Sequence, residues 1–178
     1  SPNIKVGMNK RKKTILIILC VLSLVAVLVV IGNRTKHIAV SLQGYQVSLF
    51  NKSDQKKVNV VIEGDLSYRF FQPEQFSGHI AIDGYNITRN NDYTTDITFY
   101  NGCGLLLYQN PYSIKSLGHI CTKDFSSLLI LIYDDSDNPP KYHTFICAPA
   151  DTAEEAYNIA NKLSADNWMR EIDWDAHG

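Results

Sequence analysis

The sequence predicts an α+β protein: a single N-terminal transmembrane helix, then a mainly antiparallel β domain of about eight strands, built as a sandwich or a partly open barrel, with one C-terminal helix. Three observations carry this expectation. Residues 14–31, TILIILCVLSLVAVLVVI, form an 18-residue uncharged run behind Lys10-Arg11-Lys12-Lys13. From Ile38 onward, apolar residues alternate at period two in short runs broken by Gly, Pro, Asn and Asp. A helical apolar stripe occurs near the C-terminus, after the last strand-like run.

The first element is the apolar run. About 20 apolar residues cross a bilayer core of roughly 30 Å as a helix, and residues 14–32 just reach that length, with lysines able to snorkel at one end. In hydrocarbon a helix also satisfies its own backbone polar groups. Lys/Arg excess marks the cytoplasmic flank. The expectation is therefore a basic cytoplasmic segment at residues 1–13, a membrane span at 14–32 and an extracytoplasmic domain at 33–178, a single-pass signal-anchor protein of the cell membrane. Met8 is a candidate native start, on which reading residues 1–7 are an expression remnant. The competing reading is a cleaved signal peptide and a secreted domain, with processing near Gly32. A signal h-region is usually about 7 to 15 residues long with a polar segment before the cleavage site, and neither feature is present here. Cys20 follows Leu19, where a lipoprotein signal needs a small residue.

Residues 33–37 read as a short polar stalk. Ile38, Val40 and Leu42 share one strand face, and the phase then changes at Gly44 to Tyr45, Val47 and Leu49, predicting a bulge or turn at the glycine. Val58, Val60 and Ile62 resume alternation until Glu63-Gly64-Asp65 breaks it, and Leu66 to Phe71 reads as a separate short strand. Asp83-Gly84 between alternating apolar residues predicts a hairpin with a type I′ turn, which requires positive φ at both central positions. Asn101-Gly102-Cys103-Gly104 predicts a second hairpin joining Asp96–Tyr100 to Leu105–Tyr108. Leu117–Thr122 follows. Leu128–Tyr133 is continuously apolar, the mark of a central strand covered on both faces. Tyr142–Ala148 is the last strand. Thr152-Ala-Glu-Glu155 then fits a capping box, with Asp151 as an alternative cap, opening a helix at about 152–164 whose Ala153, Ala156, Tyr157, Ala160 and Leu163 make a stripe for packing on the sheet.

Charge divides the chain. All 18 acidic residues follow the apolar run, against 12 basic ones, giving residues 33–178 a net charge of −6. Such a domain is a poor nucleic-acid binder, because phosphate neutralisation needs Lys/Arg clusters. Cys103, Cys121 and Cys147 lie in this half, and outside the cytoplasm two of them are expected to oxidise. Cys121 and Cys147 both fall in strand-like runs and are the first choice of pair, while Cys103 sits in a turn.

Motifs that carry chemistry are scarce. There is no GxSxG elbow, HExxH, P-loop or GxGxxG, and no cofactor is implied. His119 and Cys121, and His143 and Cys147, share strand faces by spacing, which keeps an envelope enzyme with a Cys/His or carboxylate site as the alternative function. Asp134, Asp135 and Asp137 gather oxygen ligands of the kind calcium prefers, but in no EF-hand spacing. Asn51-Lys-Ser53 and Asn86-Ile-Thr88 match the short N-glycosylation sequon. The C-terminal residues hold both tryptophans, Trp168 and Trp174, each among acids; as large apolar groups with a polar edge they are candidate binding residues. The function expected is a membrane-anchored extracytoplasmic binding or interaction module, non-enzymatic, with a protein or cell-envelope component as partner, membrane contact through residues 14–32, and no nucleic acid.

Overall fold

The computed structural model describes residues 9–51, 54–134, 141–165, 169 and 172. Helix α1 (Lys10–Gly32) is followed by β1 (Arg34–Ser48), β2 (Gln55–Tyr68), β3 (Glu74–Ile82), a 3-10 turn (Asn86–Arg89), β4 (Thr95–Phe99), β5 (Cys103–Asn110), β6 (Ser113–Thr122), β7 (Leu128–Asp134), β8 (Lys141–Ala148) and α2 (Ala153–Ser164). The strands form one antiparallel sheet in the order β4-β3-β2-β1-β8-β7-β6-β5. Its two end strands meet. Tyr100 and Cys103 exchange main-chain hydrogen bonds of 2.8 and 3.1 Å, and Thr94 and Gln109 exchange two of 2.9 Å. These bridges curl the sheet into a nearly closed barrel, which decides between the two shapes that the sequence allowed.

The barrel is filled by side chains. Val60, Ile62, Phe76, Ile80, Leu106, Tyr108, Ile130 and Ile146 are among those packed inside it. Outside, α2 covers a second core, where Ala156, Ala160 and Leu163 pack on Val47, Leu129, Leu131, Phe145 and Cys147. The apolar run of β7 therefore has the expected cause: Leu128, Ile130 and Ile132 enter the barrel core, while Leu129 and Leu131 enter the layer beneath α2. Each such side chain contributes about 1.5–3 kcal/mol when fully buried. The capping box forms in modified shape. Thr152 Oγ1 accepts from the Glu155 N–H at 3.2 Å, and the Glu155 carboxylate reaches back to the N–H of Asp151 at 2.7 Å. Asp151 itself pairs with Lys57 across to β2, 2.7 Å apart, instead of capping.

Four local expectations are corrected. Gly44 makes neither bulge nor turn: β1 pairs with β2 in unbroken register through it. The phase change records what lies outside the sheet, since Val47, with Tyr45 and Leu49 partly buried, packs in the layer beneath α2 while Ile38, Val40 and Leu42 face the barrel core. A glycine is needed there because β8 joins β1 beside it, and a Cβ would stand 2.8 Å from the Cys147 carbonyl oxygen. The break at Glu63-Gly64-Asp65 is likewise absent, because neighbours on both sides hold β2 straight. Asp83-Gly84 is a turn but not a type I′ hairpin. Only Gly84 has positive φ (88°), and Thr88 Oγ1 bonds Ile82 N, Ile82 O and Tyr85 O at 2.8, 3.1 and 2.8 Å, which winds the next residues into the 3-10 turn. The type I′ signature falls instead on Asn101 (φ 52°) and Gly102 (φ 78°), between β4 and β5. Finally, no stalk exists. α1 ends at Gly32 and β1 begins at Arg34.

α1 is long and apolar enough to cross a membrane, and none of its residues is buried against the rest of the protein.

Candidate functional site

The residues singled out from the sequence do not converge. Trp168 and Trp174 lie outside the described residues, as do Asp135 and Asp137; Asp134 ends β7, its backbone paired with Lys141. Among the described residues no group of three His, Cys, Asp or Glu side chains is arranged to hold a metal ion. The neighbours of Trp168 and Trp174 are informative. Met169 is fully buried and Ile172 partly so, both against the layer beneath α2, and the Met169 Sδ lies 3.4 Å from the Cys121 Sγ. The chain beyond α2 thus folds back on the barrel at these points.

The disulfide joins Cys103 to Cys121, not Cys121 to Cys147. The reason is strand order. Cys103 is directly opposite Cys121 in the β5–β6 pair, with Cα atoms 4.1 Å apart. Cys121 and Cys147 are both opposite Leu129, one on each side of β7. Two strand spacings put them roughly 9–10 Å apart, beyond the Cα separation of about 7 Å that a disulfide can span. Cys147 is a free, fully buried thiol, and burial pushes its pKa well up, so it stays protonated and unreactive.

The polar grouping that the fold does assemble is one the sequence does not announce. His119 on β6 lies 2.9 Å, through Nδ1, from the hydroxyls of both Tyr133 on β7 and Tyr142 on β8. The two phenol rings stack with centroids 4.8 Å apart and planes 21° apart, and the Tyr142 hydroxyl donates to the Tyr133 oxygen at 3.4 Å. Burial lowers the pKa of His119 and raises that of Tyr142. Near pH 7 His119 is accordingly neutral, with Nδ1 in hydrogen-bond reach of both phenol oxygens and no charge to share. Spacing alone identifies His119 as a same-face neighbour of Cys121. Its tyrosine partners escape such a reading, because a register shift between Ile132 and Tyr133 sets Tyr133 opposite Tyr142.

Beside this group, an open groove of about 540 Å³ runs along the outside of the β4–β5 seam. Leu105 and Leu107 supply its apolar lining, Asp96 and Thr98 its polar side, and His119 and Tyr100 also border it. Asp96 accepts a hydrogen bond from the Gln109 amide. The groove therefore offers apolar area, a carboxylate and the His119 imidazole at its border. Of the described cysteine and histidine candidates, Cys103 and Cys121 are oxidised, Cys147 is sealed, and the His143 ring packs tilted against Phe50, planes 55° and centroids 4.8 Å apart. Another carboxylate–imidazole pair, His37 with Asp65 at 2.9 Å, lies exposed on the β1–β2 surface.

Comparison with protein families, with curated proteins and with solved structures finds no match to this chain.

Proposed function

We propose that this chain is a membrane-anchored, extracytoplasmic binding module whose barrel engages a protein or cell-envelope component without catalysis. The observation that carries the anchoring is the nakedness of α1. From Ile15 to Ile31 its large apolar side chains are 42–73% exposed. Covering a Val, Leu or Ile is worth about 1.5–3 kcal/mol each, so more than a dozen of them demand an apolar environment that the barrel does not provide. The Lys10–Lys13 cluster supports a cytoplasmic N-terminal flank. The Cys103–Cys121 bond supports an oxidising, outer location for the barrel.

The binding part rests on the groove beside His119, which combines exposed leucine area with fixed polar groups in the manner of a recognition surface. Purification of the full chain from native membranes in mild detergent tests it, run in parallel with the Leu105→Asp/Leu107→Asp variant. A stoichiometric companion that the wild-type chain retains and the variant loses supports the reading. Equal recovery of every companion with both chains contradicts it.

A further inference from the structure

We propose that the β2–β3 corner, residues 68–71, together with Arg34, is a second membrane contact that seats the barrel on the outer leaflet beside α1. The inference rests on the reading of α1 as a membrane span. Its own support is the way the corner is joined to the end of that helix. Asn33 caps α1, its N–H and its Nδ2 both reaching the Val29 carbonyl at 3.1 and 2.9 Å. Its Oδ1 accepts the N–H of Phe70 at 3.2 Å. The Phe70 ring lies against Gly32 so closely that a Cβ there would stand 2.6 Å from its Cδ2. Phe70 is thus level with the last turn of α1, where an 18-residue apolar run reaches its end.

Phe71 is packed edge-on against Phe70, ring centroids 4.3 Å apart, and is 95% exposed. It adopts φ 60°, a left-handed backbone that a bulky residue rarely takes. Two adjacent phenylalanines at the level of a helix end can bury their apolar rings in the headgroup/acyl boundary, as interfacial apolar anchors do. Cations complete the corner. The Arg34 guanidinium lies 4.7 Å over the Tyr68 ring, and neither Arg34 nor Arg69 forms an ion pair with a carboxylate among the described residues. Both line a shallow hollow of about 280 Å³ with Asn33, Thr35, Ser67 and Tyr68. A hollow with two unneutralised arginines next to a bilayer boundary suits the phosphate of a phospholipid headgroup, since guanidinium binds phosphate oxygens bidentately. The continuity of this patch with α1 selects lipid as its occupant, even though the domain as a whole is acidic.

The full chain in phosphatidylcholine nanodiscs provides the test, with spin labels placed singly at Cys20, at Gln72→Cys and at Tyr112→Cys. The last two are made in a Cys20→Ser background, and Tyr112 lies in the β5–β6 turn at the opposite end of the barrel. Collision with a water-soluble nickel chelate reports exposure. The expected result is strong protection at Cys20, several-fold lower collision at position 72 than at 112, and loss of that difference in Phe70→Ser/Phe71→Ser and, in part, in Arg34→Gln/Arg69→Gln. Equal collision at 72 and 112, with Cys20 still protected, overturns this contact while leaving the anchor intact. An unprotected Cys20 overturns the anchor itself.

Discussion

Cys121 and Cys147 stand in one row across the sheet, separated by Leu129, which pairs with both. That row explains why two cysteines on the same face are not joined, and why the bond goes to Cys103 on the adjoining strand. Of the four cysteines in the chain, two are free, Cys20 and Cys147. Alkylation of the denatured, unreduced protein with a mass-tagged maleimide is expected to add two tags, rising to four after reduction. A Cys147→Ala variant is expected to lose one tag and keep the bond, whereas Cys103→Ser leaves Cys121 free to react. The two bonded residues are 18 apart, and a loop of that size stabilises a fold by about 3 kcal/mol through the unfolded chain. Urea denaturation of a Cys103→Ser/Cys121→Ser variant is the measurement, with a loss of that order expected.

His119 couples the β6–β8 surface to pH. Its folded-state pKa is lowered below 6.5 by burial. The unfolded chain therefore binds the proton first, and folding stability falls as pH drops from about 6.5 through the lower folded value. Above that window the histidine is neutral in both states and contributes no pH slope. Melting temperatures taken between pH 7.5 and pH 5 are expected to decline less steeply in His119→Gln than in wild type. Identical slopes would show that the imidazole titrates as it does in water.

The C-terminal helix depends on Thr152. Its hydroxyl is the side-chain acceptor for the first turn, and replacing such a cap by alanine costs about 1 kcal/mol. Chemical denaturation of Thr152→Ala should show that loss with an unchanged m-value. A second, independent loss is expected inside the barrel. The Tyr108 hydroxyl, fully buried, donates to the Ile80 carbonyl at 2.6 Å. Tyr108→Phe removes the donor and leaves that carbonyl with less partnering, a cost of about 1–2 kcal/mol.

Much of this architecture is legible in particular residues. The unbroken Leu128–Tyr133 run reads as a strand covered on both faces because both faces are in fact covered. The Thr152–Glu155 signature and the alanine stripe after it mark α2 through local pattern alone. What misleads is pattern whose cause lies elsewhere in space. The phase change at Gly44 has the form of a bulge, yet it reports the arrival of α2 on the outer face of β1, a contact across about a hundred residues of chain. Asp83-Gly84 and Asn101-Gly102 carry the same local turn chemistry, and the Thr88 side chain decides against a hairpin at the first. Leu66–Phe71 looks like one strand, but the chain leaves the sheet after Tyr68 and turns Phe70 towards Gly32. The His119–Tyr133–Tyr142 cluster and the disulfide partner both depend on strand order and on register, which shifts in the β7–β8 pair between Ile132 and Tyr133 and in the β5–β6 pair between Leu106 and Leu107, and no local pattern encodes either.

Orientation in the membrane is open to one direct reading: a membrane-impermeant maleimide applied to intact, washed cells carrying Tyr112→Cys in a Cys20→Ser background. Labelling is expected to be complete without permeabilisation, on a chain that stays in the membrane pellet through alkaline carbonate extraction. Labelling that requires detergent, or a labelled chain released into the supernatant, contradicts a barrel tethered outside the cell by α1.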